Sequence, residues 1–149
     1  MAVPSLNRAR IAANSASAAN SIRQIHSAEV TYMDAYGTFA PNLVSLGPGA
    51  AVNSCPAGGP LSTAACLLDP VLANNIANGG KSGYTFDALA AAGNTDYNAG
   101  AAPVAFNTTG VRRFCITSDG VVRTDPNAAG VTAVSTAAGT CIAAPYVPL

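Results

Sequence analysis

The sequence predicts an α+β fold: one long N-terminal α-helix packed on a small antiparallel β-sheet, with a disulfide-tied C-terminal segment. Three observations carry this reading. The stretch from Ser5 to Tyr36 is rich in alanine and free of proline and glycine. Alternating runs with a hairpin signal lie between Gly83 and Asp125. Four cysteines, Cys55, Cys66, Cys115 and Cys141, are spread over the remainder. A chain of 149 residues suits a single domain with a substantial core. It divides into the helix (1–36), a connecting loop with short helices (37–82), the sheet (83–125) and a C-terminal segment (126–149).

Alanine is the best helix former. Pro4 stands where its missing N–H costs least, and Gly37 is placed to terminate the helix as its C′ residue. Apolar residues at Ile11, Ala18, Ile22, Ile25, Met33 and Tyr36 follow the helical period. Of these, Ile11, Ile22, Ile25, Met33 and Tyr36 form the face expected on the sheet. Around the rest of the helix the side chains are small, which suits close approach of another helix. Leu6, Arg8, Arg10, Ala13 and Ala16 are the expected assembly face. Arg8, Arg10 and Arg23 precede Glu29 and Asp34, so charge runs basic to acidic, against the preference of the helix dipole.

After the helix, Asn42 to Leu46 reads as one helical turn closed by Gly47, and residues 47–60 as a glycine- and proline-rich loop. Asp69-Pro70 gives an N-cap with proline at the first helical position, and Leu72 and Ile76 share one side of a short helix expected to end before Gly79-Gly80. Strands are expected over Gly83–Leu89, with Tyr84, Phe86 and Ala88 on one face, and over Ala102–Asn107, with Val104 and Phe106 together. A third is expected over Val111–Thr117, with Phe114 and Ile116 inward and Cys115 opposite. Asp119-Gly120 is a type I′ hairpin signal leading into Val121–Thr124.

No two cysteines form a C-x-x-C pair, and the single histidine, His26, lies far from all of them in sequence, which argues against zinc. The even count reads as two disulfides and an oxidising compartment, with free buried cysteines as the alternative. Three pairings are possible. Cys55–Cys66 with Cys115–Cys141 is favoured, because each closes a moderate loop within its own region. In the chain-entropy model each contributes about 3 kcal/mol.

Zero formal net charge and 9% charged residues provide no electrostatic footprint for nucleic acid. Arg112-Arg113 reads as a solvated strand face. No phosphate-cradling glycine motif, G-x-S-x-G or close carboxylate pair marks a catalyst, and no cofactor or metal is expected. Asn107-Thr108-Thr109 matches a glycosylation sequon and also suits an ordinary turn. There is no apolar run of membrane-spanning length. Met1 ahead of AVPSLNRAR reads as an entry into the middle of a longer helix, with something removed upstream.

Taken in order, AVPSLNRAR, YGTFAPNLVSLG, SGYTF, APVAF and GVRRFCITSDGVVR resemble the type IV pilin family, including the pseudopilins of type II secretion. The resemblance implies that Ala2 to Tyr36 is the second half of a helix whose first half anchors the precursor in the bacterial inner membrane and then forms the filament core. It implies an extracellular filament serving adhesion, motility or DNA uptake. The partners it implies are copies of the chain or other pilins, and assembly machinery reached through the missing N-terminal segment. The processing glutamate of the family has no counterpart here. Asp119 and Asp125 are the only carboxylates in the C-terminal loop, too few for the calcium site of some pseudopilins. The alternatives are a pseudopilin and, from another class, a secreted module that binds a ligand through the Tyr84 face of the sheet or the glycine- and proline-rich loop.

Overall fold

A computed structural model describes residues 3–50, 54–129 and 139–149. Parts of the loop 47–60 and of the C-terminal segment, and Ala2 of the AVP motif, lie outside these. Helix α1 runs Val3–Tyr36, about 50 Å of rod. Gly37 ends it in the left-handed region at φ 75° and donates its N–H to the Met33 carbonyl at 2.8 Å, the bond of an αL cap. Two single-turn helices follow, α2 (Leu43–Leu46) and α3 (Pro70–Ala73). The side chain of Asn42 accepts from the Ser45 N–H at the start of the first, and that of Asp69 from the Leu72 N–H at the start of the second.

Among the described residues, five antiparallel strands make one sheet in the order β1-β2-β3-β4-β5. They are β1 (Tyr84–Ala90), β2 (Tyr97–Pro103), β3 (Arg113–Thr117), β4 (Arg123–Asp125) and β5 (Val147–Pro148). The expected α+β arrangement is therefore present: α1 packs on one face of the sheet, and the end of the chain returns to add an edge strand that the sequence did not announce. Both expected disulfides, Cys55–Cys66 and Cys115–Cys141, are formed.

The core lies between α1 and the sheet. Tyr84, Phe86 and Ala88 of β1 face it, as expected, with Phe114 and Ile116 of β3. Between these walls β2 contributes Tyr97 at its start, which packs on Phe39 and bonds to His26, and beyond it Ala99 and Ala101, which stand opposite Ile116 and Phe114 in register. A strand this slim at Ala99 and Ala101 lets a helix come close, and Ile22 and Ile25, both fully buried, fill the space. Gly110 serves the same close packing: a Cβ there would lie 2.3 Å from the Tyr84 hydroxyl.

The inward face of α1 differs at its far end from the expected one. Ile22 and Ile25 are buried and Ile11 is half-buried, but Met33 and Tyr36 are more than one-third exposed. The buried seam steps through Ala18, Ile22, Ile25, Glu29 and Tyr32, alternating gaps of three and four. A search for apolar residues alone passes over Glu29 and lands beside Tyr32. Tyr36 rests on Tyr32, ring centroids 4.5 Å apart, at the rim of the core.

The second strand also lies elsewhere. It starts at Tyr97, ends at Pro103 and is buried on both faces, so it shows no apolar–polar alternation. Val104 and Phe106, expected inside it, are exposed around a turn in which the Ala105 carbonyl accepts the Thr108 and Thr109 N–H groups. Ile76, expected beside Leu72, is exposed, because α3 stops at Ala73. In the β3–β4 connection the Thr117 carbonyl accepts the Gly120 N–H, and of the Asp119-Gly120 pair only Gly120 has positive φ. A type I′ turn needs both. The pairing that follows starts at Arg123 rather than Val121.

Asn75 closes the outer side of β1. Fully buried, its amide nitrogen donates to the Phe86 carbonyl at 2.8 Å and its Oδ1 accepts the Phe86 N–H at 2.7 Å, as a neighbouring strand would. Asn75→Ala would strand two buried backbone groups and is expected to cost about 2–4 kcal/mol in chemical denaturation. Ile22→Asp or Ile25→Asp should each cost about 3 kcal/mol or more, and Met33→Asp less than about 1 kcal/mol, in the same measurement. Equal effects at Ile25 and Met33 would show that the helix is packed on another face.

Candidate assembly surface

The exposed side of α1 is the candidate surface, and each half of it is positioned by the packing beneath. Pro4 to Arg10 are exposed all round the helix, so the first turns project free of the sheet. Further along, the rod lies beside the loop that precedes β3. The Asn14 amide donates to the Thr109 carbonyl at 2.9 Å, and Ser15 Oγ and the Tyr84 hydroxyl share a hydrogen bond of 3.1 Å. The Tyr84 hydroxyl also donates to the Arg112 carbonyl at 3.1 Å. Along this junction runs an open apolar groove of about 600 Å³, with Ile11, Ala12, Ala16 and Ala19 on the helix side and Val111, Phe114 and Leu149 on the other. Arg8 and Arg112 stand at its rim. Neither forms an ion pair among the described residues.

The five residues of the expected assembly face are all exposed, but they do not share one side. Arg8 and Ala16 line the groove, whereas Leu6 and Arg10 line a separate hollow with Pro4 and Asn7. Ala13 lines neither. The groove depends on Arg112, Val111 and Phe114, which are remote from the helix in sequence; a register assignment for β3 against α1 is the signal that would have found it.

At the other end of the rod Val30, Met33 and Asp34 are exposed, Val30 by 44% and Met33 by 37%. Beneath them Glu29 is fully buried. Its Oε2 accepts the Ala40 N–H at 2.9 Å, which pins the chain after α1 to the helix, while Oε1 has no partner among the described residues. Burial pushes this carboxyl up from 4.5 to about 7, the Ala40 bond opposing it only in part. His26, one turn earlier, shares a short hydrogen bond through Nδ1 with the Tyr97 hydroxyl.

The reverse face of the sheet is committed to holding the tail. Arg113 and Asp125, opposite in register, are bonded through Nε at 2.8 Å and through Nη2. The Arg113 guanidinium lies over the Tyr146 ring at 5.1 Å, next to the buried Cys115–Cys141 bridge. Arg113 is thus not a solvated cation, although Arg112 is exposed. Asp119 accepts from Arg123, which with its neighbours holds that carboxyl down to about 2. Both carboxylates of this region are therefore engaged with arginines. The sequon residue Asn107 is exposed at φ 61°, in the turn before Gly110. Tyr84 is fully buried, which removes its face of the sheet as a ligand platform.

Comparison with family models, with curated proteins and with solved structures returned no match.

Glu29 gives the domain a pH dependence of definite sign. Its folded value is raised, so the folded chain keeps a proton that the unfolded chain releases between pH 4.5 and about 7. Stability should fall by up to about 3 kcal/mol across that window and then level off. Glu29→Gln should abolish this component of the slope and raise the melting temperature most at pH 8. A wild-type slope retained in the variant would assign the dependence to another group.

Proposed function

We propose that this chain is a structural subunit of a type IV pilus-like extracellular filament, with a packing role rather than a catalytic one. The observation that carries the reading is the division of α1. Its inner seam is sealed against the sheet by Ile22, Ile25 and Tyr32, while its first turns are exposed on every side and its outer side remains uncovered along its length. A monomer gains little from these exposed first turns, which meet their own domain at the Asn7 amide on the Asn107 carbonyl and at Arg8 on the groove. A subunit whose rods bundle along a common axis, sheets outward, uses all of them. Two disulfides suit an oxidising compartment outside the cytoplasm. No described helix is long and apolar enough to cross a membrane; in this reading an anchoring half precedes α1 in the precursor.

The order of the sequence blocks that resemble type IV pilins supports the same assignment. Within the family, adhesion, motility and DNA uptake use the same subunit architecture, and a pseudopilin differs in building a short filament inside a secretion machine.

Expression of the natural precursor with its upstream segment should produce surface fibres that react with antibody to this domain in electron microscopy. Ile25→Asp should abolish them. Absence of fibres, with protein secretion lost on deletion, would assign the chain to the pseudopilins. Absence of both would end the filament reading.

A further inference from the structure

Both halves of a self-complementary contact lie on α1. Arg8, Arg112 and the apolar groove between them make one half. Val30, Met33 and Asp34 make the other: two exposed apolar side chains beside a carboxylate that has no ion pair among the described residues. Eighteen residues complete five turns of a helix, so Val30, Met33 and Asp34 stand directly above Ala12, Ser15 and Ala16, of which all three line the groove. The two halves therefore share one side of the rod and lie at opposite ends of it, with opposite charge.

We propose that the groove receives the Val30–Asp34 end of α1 from a second copy, with the two helices parallel and staggered by five to six turns, about 30 Å. Val30 and Met33 of the incoming helix cover the alanine surface, and its Asp34 comes between Arg8 and Arg112. The contact is heterologous: after pairing, the receiving copy keeps a free Val30–Asp34 end and the incoming copy a free groove, so it propagates rather than closing. This deepens, and rests on, the filament reading given above.

Charge decides the direction. In an antiparallel pair, bringing Asp34 to the Arg8 end centres the two-fold axis between the levels of Ser21 and Arg23. Arg23 is exposed on this same side of the helix and, among the described residues, bonds only to the amide oxygen of Asn20. Two copies of Arg23 would then face each other across the axis. The parallel stagger separates the two Arg23 side chains by about 30 Å along the axis and keeps the pairs of Asp34 with Arg8 and Arg112.

The test uses the isolated chain at high concentration and filaments from the natural precursor, each with a photo-crosslinking amino acid at Met33. Cross-links should reach residues 8–16 or 111–112 of another copy. Asp34→Arg should weaken self-association at least tenfold, as should Arg8→Asp with Arg112→Asp. Mixing these two variants should restore it, because the basic end of one then meets the acidic groove of the other. Unchanged melting of each variant would show that the fold is intact. Cross-links from Met33 to Met33 would mean an antiparallel pair and overturn the proposal, as would self-association indifferent to both charge reversals. Fibres that form normally but cross-link elsewhere would also overturn it, and would leave the filament reading standing. The cross-links as expected, with no fibres from the precursor, would uphold the contact and remove the filament.

Discussion

Everything in this domain depends on how closely α1 can approach the sheet. Ala99 and Ala101 leave a trough between Phe86 on one side and Phe114 and Ile116 on the other, and two isoleucines of the helix occupy it. Had Ala99 and Ala101 been bulky, the helix would ride higher and lose the dense packing that fixes its rotation about its own axis. That rotation determines which side chains face outward. The exposed surface of the rod is thus defined by what its inner seam buries, and the groove beside Arg112 exists because the helix lies low enough for Ser15 to reach the Tyr84 hydroxyl.

How much of this was legible in the sequence follows from where the forces are local. The long helix, the single turn at Leu43–Leu46 and the start of α3 at Asp69-Pro70 were readable, because propensity, capping side chains and Gly37 act within a few residues, whereas the end of α3 at Ala73 was not. The first and third strands showed themselves by alternation, which requires one face to differ from the other. β2 did not: with both faces buried it is spelled Tyr-Asn-Ala-Gly-Ala-Ala-Pro, and the louder Val104 and Phe106 belong to the turn beyond it. Glu29 was hidden for a different reason. It holds a core position by helical spacing while its chemistry suggests the surface, and only the Ala40 N–H explains how a carboxyl is accommodated there. The groove was out of reach, since it needs residues about a hundred positions apart.

The two faces of the sheet solve different problems. The helix side is apolar and sealed. The tail side uses one of everything: a covalent bridge, a largely buried ion pair, a cation over an aromatic ring and a two-residue strand. A short tail with few large apolar residues cannot hold itself down by burial alone. Mixed fastening of this kind keeps Leu149 at the groove, where the Leu149 N–H donates to the Val122 carbonyl.

The amide of Asn75 has an implication for crowding. Sheets with open borders can fuse laterally into continuous ribbons when many copies are held side by side, and such fusion is hard to reverse. Here one border is stoppered at Phe86 by a side chain that imitates a strand, and the other ends in two residues of which Pro148 has no hydrogen to give. Neighbouring copies can therefore be packed at very high local density without their sheets stitching together, which leaves the order among them to the rods.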